Sequence, residues 1–126
     1  MATTTVHNPG NEAHFMHVKP ARQRIRVRKG ERVLAETTAA LRVMETGREP
    51  YDPVLYFPRS DVSPALQPLP GKSTHCPLKG DASYLTLDGD EVAWSYDRPL
   101  EGAELIRDYV AFYPDKVAIE EIGAQS

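Results

Sequence analysis

Apolar and polar residues alternate with a period of two along much of this chain, and that period predicts strands. The clearest stretch is Arg22–Glu36, where Ile25 and Val27, with Gln23, alternate with Arg22, Arg24, Arg26 and Arg28. Residues two apart share a strand face, so one face is apolar and the other is a stripe of arginines. Lys29-Gly30 then offers a residue that tolerates φ > 0, and Arg32-Val33-Leu34-Ala35 returns as the partner strand. The segment is a β-hairpin. A second hairpin follows from Tyr84–Leu87 and Val92–Tyr96, joined by Asp88-Gly89-Asp90. An Asp-Gly pair between two such runs is a strong short-range hairpin signal.

The remaining elements are shorter. His14–Val18 has the bulk for a short edge strand, stopped at Pro20, which has no N–H for a ladder. Leu41 and Val43 alternate with Arg42 and Met44 before Gly47 and Pro50 break the run. Val54–Pro58 is a short apolar strand, and Arg59–Val62 turns outward. Ser63–Gly71 has three prolines in nine residues and reads as a surface loop. Glu101–Asp108, anchored by Leu105 and Ile106, predicts a helix of two turns. Tyr109–Tyr113 and Lys116–Ile119 flank a Pro114-Asp115 turn. The expected organisation is a flexible leader over residues 1–13, a single β domain over 14–120 and a loose tail over 121–126. Many short strands with one short helix make the fold mainly β, a small sandwich or partly open barrel.

Composition narrows this picture. The 126 residues suit one domain with a core of its own, and 40% hydrophobic with 26% charged residues is ordinary for a globular chain. No apolar run is long enough for a membrane span, and Met1–Asn11 lacks the apolar region of a secretory signal, so a cytoplasmic location is expected. One cysteine forms no intrachain disulfide and no multi-cysteine zinc site. His14 and His17 are spaced for a helix, but no third ligand is near and Pro20 opposes a helix, so they read as ordinary edge histidines. No metal and no cofactor are expected.

Charge is distributed unevenly. Residues 1–80 hold twelve Lys/Arg against seven Asp/Glu, and residues 81–126 hold three against eleven. The two parts of the chain can attract each other across the fold, or each can present its own face. The arginine stripe has the fork geometry that grips phosphate. No aromatic residues interleave with it, however, so nucleic acid is not the expected partner. The alternative is a solvated sheet face that discourages edge-to-edge pairing and meets the acidic C-terminal part.

Reactive groups crowd into Ser73–Tyr84: Cys76, His75 beside it, Lys79 three residues on, and a Lys79-Gly80-Asp81 turn. Cys76 as a nucleophile needs a nearby cation to favour its thiolate, with His75 or Lys79 available. Adjacent strand residues point to opposite faces, so His75 and Cys76 line one pocket only if Pro77 kinks the backbone. The alternative is a small buried hydrophobe. Lys79 is either a turn lysine in solvent or a cation aimed at an anionic ligand. Trp94 and Tyr96, two apart, share a face and make an aromatic wall. With Tyr56, Arg59, His75, Cys76, Lys79, Tyr84 and Tyr113 gathered near that wall, the result is an apolar pocket with a few polar anchors.

Four runs, Tyr56–Val62, Thr74–Tyr84, Ala93–Tyr96 and Tyr109–Tyr113, resemble the domain of unknown function four-two-seven family in unbroken order over residues 14–120. The resemblance implies a β-tent-like sandwich in which two antiparallel sheets lean together. Zinc-binding members of that group pin the sheets with paired Cys-x-x-Cys motifs; Cys76 stands alone, so a structural zinc is not carried over. A nucleotidyltransferase label sometimes attached to the family finds no Gly-Ser pair before spaced acidic ligands, and no Gly-rich phosphate loop.

Three functional readings follow. The first is a small anionic or aromatic ligand bound between the sheets, with Cys76 as a reactive group. The second is an interaction module or homodimer using the arginine-lined face. The third is a cysteine-dependent enzyme.

Overall fold

The computed structural model describes residues 3–123. It contains eleven strands: β1 (Thr4–Asn8), β2 (Asn11–Pro20), β3 (Arg24–Lys29), β4 (Arg32–Thr37), β5 (Leu41–Thr46), β6 (Val54–Phe57), β7 (Gln67–Cys76), β8 (Gly80–Leu87), β9 (Asp90–Pro99), β10 (Val110–Phe112) and β11 (Ala118–Gly123). They form an eight-stranded sheet in the order β1-β2-β5-β6-β10-β9-β8-β7 and a three-stranded sheet in the order β11-β3-β4. Every neighbouring pair is antiparallel. The fold is mainly β with two antiparallel sheets, as the alternation and the resemblance both imply.

The two hairpins form where their turn residues place them. Gly30 at φ 62° closes β3 onto β4, and Asp88 and Gly89 at φ 52° and 84° close β8 onto β9. Two successive left-handed residues match the twist of the flanking strands. Outside those turns, sequence and structure part in several places. Residues 4–13, expected as a leader, form β1 and the start of β2, so β2 is an interior strand between β1 and β5. Burial of Val6, Met16 and Val18 holds this hairpin to the sheet. Residues 67–71, expected in a loop, begin β7 despite Pro68 and Pro70. β7 is the sheet edge, where a missing N–H is tolerated, and its register shifts between Pro68 and Ser73. The expected helix is a single 3₁₀ turn, Glu104–Ile106, matched by another at Arg59–Asp61. Gly102 at φ 95° and Asp108 at φ 61° bracket it in left-handed conformations that no α-helix contains. Glu121 and Ile122, expected in the tail, belong to β11; residues 1, 2 and 124–126 lie outside the described residues.

Two apolar clusters hold the sheets. Ile25, Val27 and Leu34 of the small sheet pack with Phe57, Leu85, Val110 and Phe112 of the large one. On the other face of the large sheet, Met16, Val18, Val43, Tyr56, Ala82, Tyr96 and Ala111 gather with Leu78 and Ile106 from two turns. That second face is covered because the sheet curls over it. Lys79, which leads into β8, ion-pairs with Glu45 of β5, although β6, β10 and β9 lie between their strands. Four strand spacings in a flat sheet are about 19 Å, too far for two side chains to bridge.

The uneven charge is resolved within the chain. Arg24 and Arg26 both reach Glu36 of β4, at 3.0 and 2.7 Å, and Arg28 reaches Glu120 of β11 at 3.0 Å. With Arg28–Glu120, the pairs Lys29–Asp90, Arg32–Asp88, Arg42–Glu121 and Lys72–Glu91 join the basic part to the acidic one, whereas Glu36 belongs to the basic part itself.

Candidate functional site

Between the two sheets, where a ligand pocket is expected, apolar side chains pack closely and leave a cleft of about 100 Å³ beside Leu55, Phe112 and Ile119. A larger cavity lies on the opposite, curled face of the large sheet. Its volume is about 310 Å³, and it is lined by Glu45, Tyr51, Val54, Tyr56, Lys79, Tyr84, Trp94, Tyr96 and Tyr113.

Strand register builds its walls. Tyr84 pairs with Trp94, Trp94 with Ala111, Ala111 with Tyr56, and Tyr56 with Leu41. Laterally paired residues share a sheet face, so these form one row across five strands. Ala111 is the small member, and its methyl leaves room for the Trp94 ring beside Tyr56. The indole Nε1–H donates to Tyr56 Oη at 3.4 Å, and the two rings meet edge to face with centroids 6.4 Å apart. Tyr113 lies 4.8 Å from Trp94, and Tyr96 lies 6.5 Å from Tyr56. Outer polar groups hold the rim. Tyr113 Oη donates to Glu91 at 2.6 Å, Lys72 reaches the same carboxylate at 2.8 Å, and Lys72 Nζ stands 4.3 Å from the Tyr84 ring centre. Burial raises the pKa values of Tyr56, Tyr96 and Tyr113, so the walls are neutral phenols at physiological pH.

Lys79 reaches the floor because of the glycine that follows it. Gly80 has φ 115°, and a Cβ there would stand 2.6 Å from the Arg98 carbonyl oxygen and 2.7 Å from the Leu100 nitrogen. Only glycine lets this turn press against the end of β9, where Leu100 N–H donates to the Lys79 carbonyl at 2.9 Å. The Lys79 side chain is thereby buried, with Nζ donating to Glu45 and lying 5.7 Å from the Tyr96 ring centre. Burial opposes the lysine's charge, but the Tyr96 oxygen and the Glu45 carboxylate outweigh it, and its pKa stays above the usual value. Burial likewise opposes ionisation of Glu45, and hydrogen bonds from Lys79 and His14 overcome it, holding the carboxyl below the usual range.

His14 completes the polar floor. Asn8 Oδ1 accepts from Gly10 N–H at 2.8 Å, so the Asn8 amide nitrogen is the group that donates to His14 Nδ1 at 3.1 Å. Nδ1 is then an acceptor, and Nε2 carries the proton donated to Glu45 Oε2 at 2.8 Å. Glu45 thus takes a donor on each oxygen.

Of the residues singled out in sequence, Tyr56, Lys79, Tyr84, Trp94, Tyr96 and Tyr113 do line one cavity. Arg59 is exposed on the 3₁₀ turn after β6 and is not among them. His75 is exposed and bonded to Asp81 at 2.8 Å, whereas Cys76 is half-buried against the curled-face cluster. The two sit on opposite faces of β7, as strand geometry requires, and do not form a Cys–His pair. Glu45 and Tyr51 carry no role in the sequence reading, and His14 is set aside there as an ordinary edge histidine. Glu45 continues the face of Leu41 and Val43, and His14 that of Met16 and Val18; a polar group on a buried face needs partners, which is the signal that points to both.

The class these features define is a two-sheet antiparallel β protein with an aromatic-walled cavity on its larger sheet. A family model described as Domain of unknown function (DUF427) matches residues 17–123, and the chain belongs to that family. No curated protein matches the chain.

Proposed function

We propose that the curled face of the large sheet binds a small aromatic molecule bearing an uncharged hydrogen-bond acceptor. The observation that carries this reading is the lining: six of the nine residues around the cavity are aromatic, over a floor of paired charges. Offset and edge-to-face contacts with Trp94, Tyr56 and Tyr113 suit a planar ring. Lys79 donates one N–H to Glu45, which leaves two for an acceptor on the ligand. A full anion is disfavoured here, since Glu45 already neutralises the lysine.

Trp94 is the chain's single tryptophan and lines this cavity, and Lys79 amide shifts separate binding here from binding in the small cleft of Leu55, Phe112 and Ile119 that Trp94 also borders. A panel of neutral aromatic fragments, phenols and aryl amides, is titrated while Trp94 emission and backbone amide shifts are followed. Saturable changes around Trp94 and Lys79, lost in Trp94→Ala, are the expected result. A panel that leaves both unperturbed at millimolar concentration overturns the reading. No particular observation favours the arginine-lined face, because Arg24, Arg26 and Arg28 are each paired with a carboxylate of the same chain.

A further inference from the structure

Tyr51 separates the aromatic cavity from a second one of about 280 Å³, lined by Asn11, Ala13, His14, Gly47 and Arg48 together with Tyr51 itself. The ring is half exposed and borders both spaces. It lies against Gly47, where a Cβ would stand 3.2 Å from it, and its backbone N–H donates to the Glu45 carbonyl at 3.0 Å. Beneath it runs the chain Lys79–Glu45–His14, with one end in each cavity.

The two cavities differ in charge. In the first, Lys79 is answered by Glu45. The second has no carboxylate among its lining residues. Arg48 is exposed there and makes no salt bridge among the described residues. Asn11 Oδ1 accepts from Ala13 N–H at 3.1 Å, which leaves the Asn11 amide N–H groups to donate. His14 has both ring nitrogens engaged. A guanidinium and an amide donor with no competing acceptor are the chemistry that takes a carboxylate or phosphate.

We propose that the two cavities are halves of one site, and that its ligand carries, besides the aromatic ring and uncharged acceptor of the first cavity, an acidic group on a short arm. Its ring lies against Trp94, and a short arm passes Tyr51 to set an anionic group on Arg48 and Asn11. This rests on the reading of the first cavity as an aromatic site and adds the charge and position of the arm.

The test compares indole-3-ethanol with indole-3-acetate, which share a ring and differ in the charge at the end of the arm, by calorimetry on the full chain. The acid is expected to bind roughly threefold to tenfold tighter, the scale of an exposed charge-assisted pair. That preference should vanish in Arg48→Ala, whose exposed side chain leaves the fold intact, while affinity for the alcohol stays unchanged. Equal binding of the two by the wild type overturns the anionic subsite and leaves the aromatic site standing. A preference that survives in Arg48→Ala overturns it as well, and places the anion at Lys79. Binding of neither probe overturns the joined site, and the fragment panel then decides the aromatic cavity on its own.

Discussion

Lys79 and Glu45 are joined directly across a gap of three intervening strands, so their ion pair closes the curl of the large sheet. It holds the cavity in shape as well as supplying its floor.

Breaking this pair should therefore cost stability. Removing one partner of a fully buried pair costs about 3–5 kcal/mol; with Glu45 partly accessible, Lys79→Ala is expected to lose about 2–3 kcal/mol. Lys79→Met combined with Glu45→Gln should recover part of that loss, since neither charge is then left without its partner. Urea unfolding of Lys79→Met, Glu45→Gln and the double variant checks the coupling, and strictly additive losses would rule it out. Ligand binding to Lys79 variants has to be read beside these stabilities.

Acid should unfold the protein in a defined window. Hydrogen bonds from Lys29 and Lys116 pull Asp90 down from 3.8 to about 2, and those from Arg26 and Arg24 lower Glu36. Arg28 lowers Glu120, and Lys72 with Tyr113 lowers Glu91. Glu45 is lowered too. In each case the folded pKa lies below the unfolded one, so the stabilisation is full above the unfolded value and is lost as pH falls through the folded value. Stability is expected to be level from neutrality to about pH 5 and then to fall towards pH 2. Asp90→Asn should remove the lowest part of that decline. Thermal melts at half-unit pH steps test both statements.

Gly80→Ala should be among the more damaging small substitutions. The residue would carry a side chain at φ 115° and drive it into the backbone of Arg98, Pro99 and Leu100. The expected loss is about 2–4 kcal/mol, with amide-exchange protection falling first around Lys79 and Leu100. A variant as stable as the wild type would mean that the turn can move away from β9.

Reversing Arg24 and Arg26 to glutamate should lower the melting temperature without altering whatever assembly state the wild type shows. The new carboxylates would face Glu36, and Glu120 lies opposite Arg26. Adding Glu36→Arg should restore much of the loss. Light scattering alongside the melts separates this outcome from a partner-binding role, in which assembly would change first.

Elements whose signal is local were legible in the sequence. Ile25 and Val27 alternating with arginines, and Asp88-Gly89 between two apolar runs, specify their hairpins because a strand's period and a turn's left-handed residues are properties of a few neighbouring positions. The same period placed Trp94 and Tyr96 on one face, and the Lys79-Gly80 pair marked the turn that sets the floor. The prolines of β7 misled, since their cost depends on whether a strand lies at an edge, and edges are decided by the whole sheet.

The sequence by itself thus determined the hairpins, the β class, the family and most of the aromatic wall. Tertiary structure alone decided which face of the large sheet holds the cavity, and that Glu45 and Tyr51 line it with His14 bonded to Glu45, while Arg59, His75 and Cys76 do not line it. The physical reason is range. Alternation assigns a side chain to a face, but which strands become neighbours, and how far the sheet curls, depends on burial summed over residues from Val6 to Phe112. Only that sum brings Lys79 to Glu45.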